Sequence, residues 1–165
     1  TESVDYFRYG TINGYVHDMG AAMFGGVSGH AGLFSTPNDV AILFQMLLNG
    51  GTYKGKRYLQ RSTVTLFTER YSFLSRRGLG FDKPEPNAGK SNPCCDRASM
   101  KTFGHTGFTG TCVWADPEND LIYVFLSNAT YPSADKKKIN QGVGVRETAQ
   151  AYLYRAMGIA SRYRK

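Results

Sequence analysis

The run Phe103-Gly104-His105-Thr106-Gly107-Phe108-Thr109-Gly110, continued by Thr111-Cys112-Val113-Trp114-Ala115-Asp116, decides how the rest of the chain is read. A strand ends in a glycine-rich turn that leads directly into a second strand. Glycine lets another molecule approach the backbone and uncovers N–H groups that a side chain would shield. A titratable ring and a hydroxyl at such a strand end, beside backbone donors, form a suitable surround for a developing oxyanion. The segment contains no nucleophile of its own.

Downstream, Asp116-Pro117-Glu118-Asn119-Asp120 has turn chemistry. It predicts paired strands over about 110–115 and 120–127. Leu121-Ile122-Tyr123-Val124-Phe125-Leu126 is apolar without alternation, as expected of a strand covered on both faces. A last helix is predicted from about Ala134 to Met157, with Ile139, Val143, Ala149, Leu153 and Ala156 as its apolar stripe. Gly142 and Gly144 weaken its first turns.

Upstream, residues 82–99 are rich in Pro, Gly and Asn and read as a loop. A short helix is expected over about Ser62–Glu69. Another begins with Ser35 or Thr36 as N-cap, Pro37 in the first turn and Asp39 at the positive end of the dipole. Its apolar residues Val40, Leu43, Phe44, Leu47 and Leu48 recur at helical spacing, and Asn49-Gly50-Gly51 ends it. Gly20 to Gly32 is too glycine-dense for a good helix and reads as a closely packed loop. The order predicts an α+β fold, an antiparallel sheet packed by helices that include a long C-terminal one.

With 165 residues the chain fits one domain with a sizeable core. No apolar run approaches the ~20 residues of a membrane span. The N-terminus has neither a basic nor an apolar stretch of signal-peptide type, and it lacks an initiator Met, which suggests an excised or mature piece of something longer. The net charge of +7 is scattered over Lys54/Lys56/Arg57, Arg76/Arg77, Lys136-Lys137-Lys138 and Arg162/Arg164/Lys165. No nucleic-acid motif accompanies these groups, so they read as solvated surface. The three cysteines, Cys94, Cys95 and Cys112, make neither a disulfide framework nor a zinc pattern, and Cys112 reads as a small core residue.

Several near-matches reduce to ordinary structure. Gly50 to Arg57 resembles a phosphate loop, but Arg57 stands where Ser or Thr is needed and a helix precedes it; a hairpin-like turn accounts for it better. Gly26-Val27-Ser28-Gly29-His30 fails as a nucleophile elbow because His30 replaces the second Gly, leaving Ser28 a loop residue. His17, Asp18, His30 and Asp39 match no metal-ligand spacing. No cofactor is implied. His105 keeps two readings, a site residue or a satisfied strand histidine beside a turn.

Three segments together resemble the C-terminal part of the serine β-lactamase and penicillin-binding-protein-like hydrolases. Gly29-His30-Ala31-Gly32-Leu33-Phe34-Ser35-Thr36-Pro37-Asn38-Asp39-Val40 is similar to that family's Ala-Gly-Gly-Leu-x-Ser-Thr-x-x-Asp-Leu segment before a helix. His105-Thr106-Gly107 matches its Lys/His-Thr/Ser-Gly motif, and the pair of strands with a terminal helix follows in the family's order. The resemblance runs from about Val16 to Met157. In detail it extends to a bacterial subgroup in which the module follows a family 3 glycoside hydrolase domain (β-N-acetylglucosaminidase-like).

The resemblance implies that His105, Thr106 and Gly107 wall the site, with His105 and Thr106 touching substrate or aiding proton transfer. It makes the backbone N–H of Phe108 one oxyanion donor; losing such a donor typically costs ~2.7–4 kcal/mol of barrier. The family's Ser-x-x-Lys and Tyr-x-Asn elements lie upstream, and residues before Val16 are too few to hold them. Ser133-Ala134-Asp135-Lys136 fits the letters only, after the strands, and no Tyr-x-Asn occurs.

Residues 1–165 are therefore expected to be one segment, the C-terminal portion of such a domain, inactive alone. Its partners would be the remainder of the domain and a small-molecule or peptidoglycan-like substrate, in a periplasmic or extracytoplasmic setting. The alternative is a non-catalytic binding or structural module appended to a glycosidase. The family places further strands beside Leu121–Leu126; without them that edge is a template for pairing with a second copy.

Overall fold

The computed structural model describes residues 2–4, 7–134 and 144–163. Its centre is an antiparallel sheet, β5 (Phe103–Thr106), β6 (Cys112–Asp116) and β7 (Leu121–Phe125), in that spatial order. The register sets Phe103 opposite Ala115, Trp114 opposite Tyr123 and Ala115 opposite Ile122. Alternation along β6 then divides the core in two. Cys112, Trp114 and Tyr123 join Cys94, Cys95, Ala98 and Tyr154 on one face. Phe103 and Ala115 join Phe44, Met46, Leu47 and Val64 on the other. The apolar run in β7 thus has cover on both sides, as its lack of alternation predicted.

The second face is closed by α2 (Pro37–Leu48) and α3 (Arg61–Thr68). Of the two cap candidates, Thr36 does the capping, accepting from the Asp39 N–H at 3.1 Å. Phe44, Phe81 and Phe103 meet as an aromatic trio with centroids 5.3–6.1 Å apart. Burying a side chain such as Phe103 contributes roughly 1.5–3 kcal/mol. The Gly50–Arg57 segment is a hairpin of β3 (Thr52–Tyr53) and β4 (Lys56–Arg57). Lys54 and Gly55 at its tip both have positive φ, the signature of the tight turn that matches strand twist. A small N-terminal hairpin, β1 (Glu2–Val4) with β2 (Gly10–Ile12), stands apart from this sheet.

Three expectations need correction. The glycine-dense segment opens with a helical turn, α1 (Met19–Met23), because Asp18 caps it by accepting from the Ala21 N–H. The terminal helix is shorter than predicted: α4 spans Val145–Ala156, with non-helical Gly144 as its cap and a bend at Ala134. The residues of the predicted helix from 135 to 143 lie outside the described ones. Residues 82–99 lack helix and strand but are no solvated loop, since Asp82, Lys83, Glu85, Cys94, Cys95, Ala98 and Ser99 are all buried.

That segment is tied to its surroundings largely through side-chain bonds, although Asn92 Nδ2 is buried without a partner among the described residues. The Lys83 ammonium donates to the carbonyls of Thr68, Lys101 and Thr102 at 2.8–3.2 Å. Burial pulls its pKa down to about 8, against the attraction of Glu69 and Asp116, so it remains a cation at neutral pH. Asp82 pairs with Gly104 in both directions, N–H to O at 2.7 and 3.1 Å, and adds one rung to the outer side of β5. At the opposite side, β7 pairs only with β6 among the described residues. No helix among the described residues is long and apolar enough to cross a membrane.

Candidate functional site

His105 and Thr106 end β5, and the turn that follows is held from several directions. The Gly107 N–H donates to Thr111 O at 2.7 Å and the Gly110 N–H to Gly107 O at 3.1 Å. Gly110 has φ +95°, and a Cβ there would lie 2.4 Å from Ser127 Oγ. A Cβ on Gly107 would lie 2.2 Å from Thr111 Oγ1. Gly110 is therefore fixed by backbone conformation and by Ala129 Cβ at 2.8 Å, whereas a Cβ on Gly107 would press only on the Thr111 hydroxyl, which can turn. From the side, the Ala129 N–H donates to Thr109 O at 2.7 Å. From α4, Arg146 donates to Thr111 O at 3.0 Å, while its own carbonyl accepts from the Tyr123 hydroxyl.

Phe108 projects from this turn and stacks on His17, centroids 5.1 Å apart at 17°. The 16–32 segment is thereby brought beside the turn, which no local sequence signal indicated. Within that segment Asp18, His30 and Ser28 form a row. His30 Nε2 lies 2.8 Å from Asp18 Oδ1, and Nδ1 lies 2.9 Å from Ser28 Oγ. A carboxylate only accepts, so the ring donates to Asp18 through Nε2, while Nδ1 shares a hydrogen bond with the Ser28 hydroxyl. The Ala21 N–H and the His30 ring hold the Asp18 carboxyl below its usual range. All members are exposed or half-exposed, and the row ties the loop back to the cap of α1. Asp39, considered with them on sequence, is engaged at the other helix start, accepting from the Thr36 hydroxyl at 2.8 Å. Among the described residues no three His, Cys, Asp or Glu side chains gather as a metal site.

On the other flank an acidic hub organises two arginines that sequence reasoning had left on the surface. Arg76 grips buried Asp82 with both prongs, at 2.7 and 2.8 Å, and reaches Glu85 at 3.6 Å. Burial alone would raise the Asp82 pKa, but Arg76, the Lys83 N–H and Arg77 outweigh it and keep the carboxyl below the ordinary range. Arg77 lies 3.6 Å from Asp82, and its guanidinium reaches His105 Nε2 at 3.2 Å. The His105 Nδ1 lies 2.7 Å from Thr106 O. Adjacent arginines carry no sequence signal that separates this arrangement from solvated charge.

The site segment lacks a nucleophile in the structure as in the sequence. Cys94, Cys95 and Cys112 are buried and unpaired, and burial pushes Cys112 up to about 11 and the others upward, so they stay thiols. Of the Ser133–Lys136 letters, the last two fall outside the described residues.

A family model described as beta-lactamase matches residues 4–145. The chain belongs to the beta-lactamase family. Its similarity extends to proteins named "Putative D-alanyl-D-alanine carboxypeptidase" from Salmonella agona (strain SL483) and Salmonella typhi, each 40% identical over 148 residues. The alignment covers 89% of this chain and 34% of each relative. This beta-lactamase-family chain thus spans about a third of the length of the curated relatives it matches. Its mixed helices and antiparallel sheet are consistent with part of such a domain.

Proposed function

We propose that the chain supplies one wall of the acyl-transfer site of a serine hydrolase, with the nucleophile on a part of the domain upstream of residue 1. The parent reaction is attack of a serine on an amide or ester carbonyl in cell-wall material, then hydrolysis of the acyl-enzyme. The observation that carries this reading is the braced strand end: His105, Thr106 and Gly107 lead into a turn fixed by β6, residues 127–129 and α4. Thr106 and His105 face substrate, and the Phe108 N–H serves as an oxyanion donor. Donors set in advance cost no reorganisation at the moment of reaction. The relatives' carboxypeptidase name supports a cell-wall amide as substrate.

A penicillin-type or fluorophosphonate probe tests it. The 165-residue chain alone should not be labelled, whereas the longer protein should be labelled at an upstream Ser of a Ser-x-x-Lys element. A longer protein that lacks that element and takes no label would instead be a binding module. The narrower placement, behind a family 3 glycoside hydrolase domain, rests on the sequence resemblance and is decided by reading the preceding coding sequence.

The same reading assigns the upstream part of the domain to the side of β7 that has no strand partner among the described residues. Expressed alone, the chain should self-associate through that edge. Sedimentation checks this, and a monodisperse monomer would refute it.

A further inference from the structure

The groups facing the two ring nitrogens of His105 differ in what they can exchange. Thr106 O is a carbonyl and can only accept, so the nitrogen 2.7 Å from it, Nδ1, carries a proton. A guanidinium can only donate, so the nitrogen 3.2 Å from Arg77, Nε2, presents its lone pair. The ring is neutral in this arrangement, and both nitrogens are occupied. Protonating Nε2 would set two donors and two positive charges against each other.

We propose that Arg77 is a positioning residue that locks His105 as the neutral Nδ1–H tautomer and itself carries the positive charge at this corner. Its placement follows from the hub described above. Arg76 takes the bidentate seat on Asp82, leaving Arg77 with the looser 3.6 Å contact and its NH1 turned to His105. The backbone of Arg77 is pinned as well, its N–H donating to Ser75 Oγ at 3.2 Å. Asp82 is in turn bonded to Gly104, one residue before His105, so carboxylate, guanidinium and ring are registered to one strand.

The consequence for catalysis rests on the proposed acyl-transfer reading; the tautomer does not. With Nε2 engaged by a group that never deprotonates, His105 orients Thr106 and does not shuttle a proton. The fixed cation beside Thr106 is the guanidinium, at any pH near neutral.

Nuclear magnetic resonance of the 165-residue chain with 15N-labelled histidine separates the possibilities. Signals of His105 are assigned by their loss in His105→Asn. Long-range 1H–15N correlations should show a protonated Nδ1 and an Nε2 whose resonance is displaced upfield by an accepted hydrogen bond. In Arg77→Met the ring population should pass toward the Nε2–H form, so that the averaged Nε2 resonance moves upfield and the Nδ1 resonance downfield; Arg77→Lys, which keeps a donor, should retain more of the wild-type separation between the two. An Nε2–H tautomer in the wild-type chain overturns the proposal without any variant. An unchanged Nε2 resonance in Arg77→Met, with the Gly104 amide unmoved, overturns it too. Because no acylation is measured, a failed probe-labelling experiment would sink the hydrolase reading and leave this one standing.

Discussion

Asp116→Ala should destabilise the chain by about 3–5 kcal/mol, read as a lowered urea midpoint with an unchanged slope. The Asp116 side chain is fully buried and accepts from the Ser99 N–H, the Ser99 hydroxyl, the Glu118 N–H, Asn119 and the Tyr154 hydroxyl, at 2.6–3.1 Å. These donors come from the 82–99 side of the core, the β6–β7 turn and α4. Removing the carboxylate leaves several of them buried without a partner, at roughly 1–3 kcal/mol for each that water cannot reach. Against a total stability of about 5–15 kcal/mol, that loss threatens the fold itself. A loss under about 1 kcal/mol would show that the carboxylate is not the link between these elements.

The same residue sets an acid limit. Burial raises the Asp116 pKa, but the hydrogen bonds from Ser99, Asn119 and Tyr154 more than compensate and hold it below the ordinary value. A carboxyl with a folded pKa below its unfolded value of about 3.9 contributes stability above that value. The contribution is lost as pH falls through the folded pKa. Unfolding free energy should therefore decline below about pH 4, and Asp116→Ala should flatten that decline. Asp82, depressed as well, keeps its own share of the slope in the variant.

Gly104→Ala should be as damaging, by about 3 kcal/mol or more, through backbone overlap. A Cβ at this position would lie 2.0 Å from Val113 O and 2.9 Å from Trp114 Cα, atoms of the neighbouring strand that cannot rotate away. Relief requires β5 to part from β6, which would also disturb the Asp82 rung and carry His105 and Thr106 out of place. Thermal melting should show the loss, and hydrogen exchange at Val113 should rise. Gly29→Ala provides the contrast, because nothing lies within 4 Å of its added methyl. Equal melting temperatures for the two variants would mean that β5 yields more easily than its register suggests.

Elements defined by local chemistry could be read directly. Thr36, Pro37 and the spacing from Val40 to Leu48 specify α2, and Lys54-Gly55 specifies the hairpin tip. The Asp116–Asp120 turn placed both strands of the β6–β7 pair. Burial of residues 82–99 was not legible, since Pro, Gly and Asn report the absence of helix and say nothing of depth. Its satisfaction depends on partners remote in sequence, such as Gln150 Oε1 accepting from the Cys95 N–H. The predicted terminal helix runs through Gly144, which the structure places as a non-helical cap, the position where the backbone cost of glycine decides. At the site, His105-Thr106-Gly107 stood out through glycine and ring chemistry. Arg77 and Asp82 did not, because their role comes from a bridge 22 residues long between Asp82 and Gly104.

Arg146 gives the C-terminal helix a bearing on the proposed site wall that its distance along the chain conceals. Its guanidinium props the Thr111 carbonyl, and its own carbonyl is moored to Tyr123 in β7. The helix therefore acts as a keystone for the turn carrying Phe108. Removing the chain from Val145 onward would take away this prop together with the Tyr154 and Gln150 contacts to the core, so turn and sheet would loosen together.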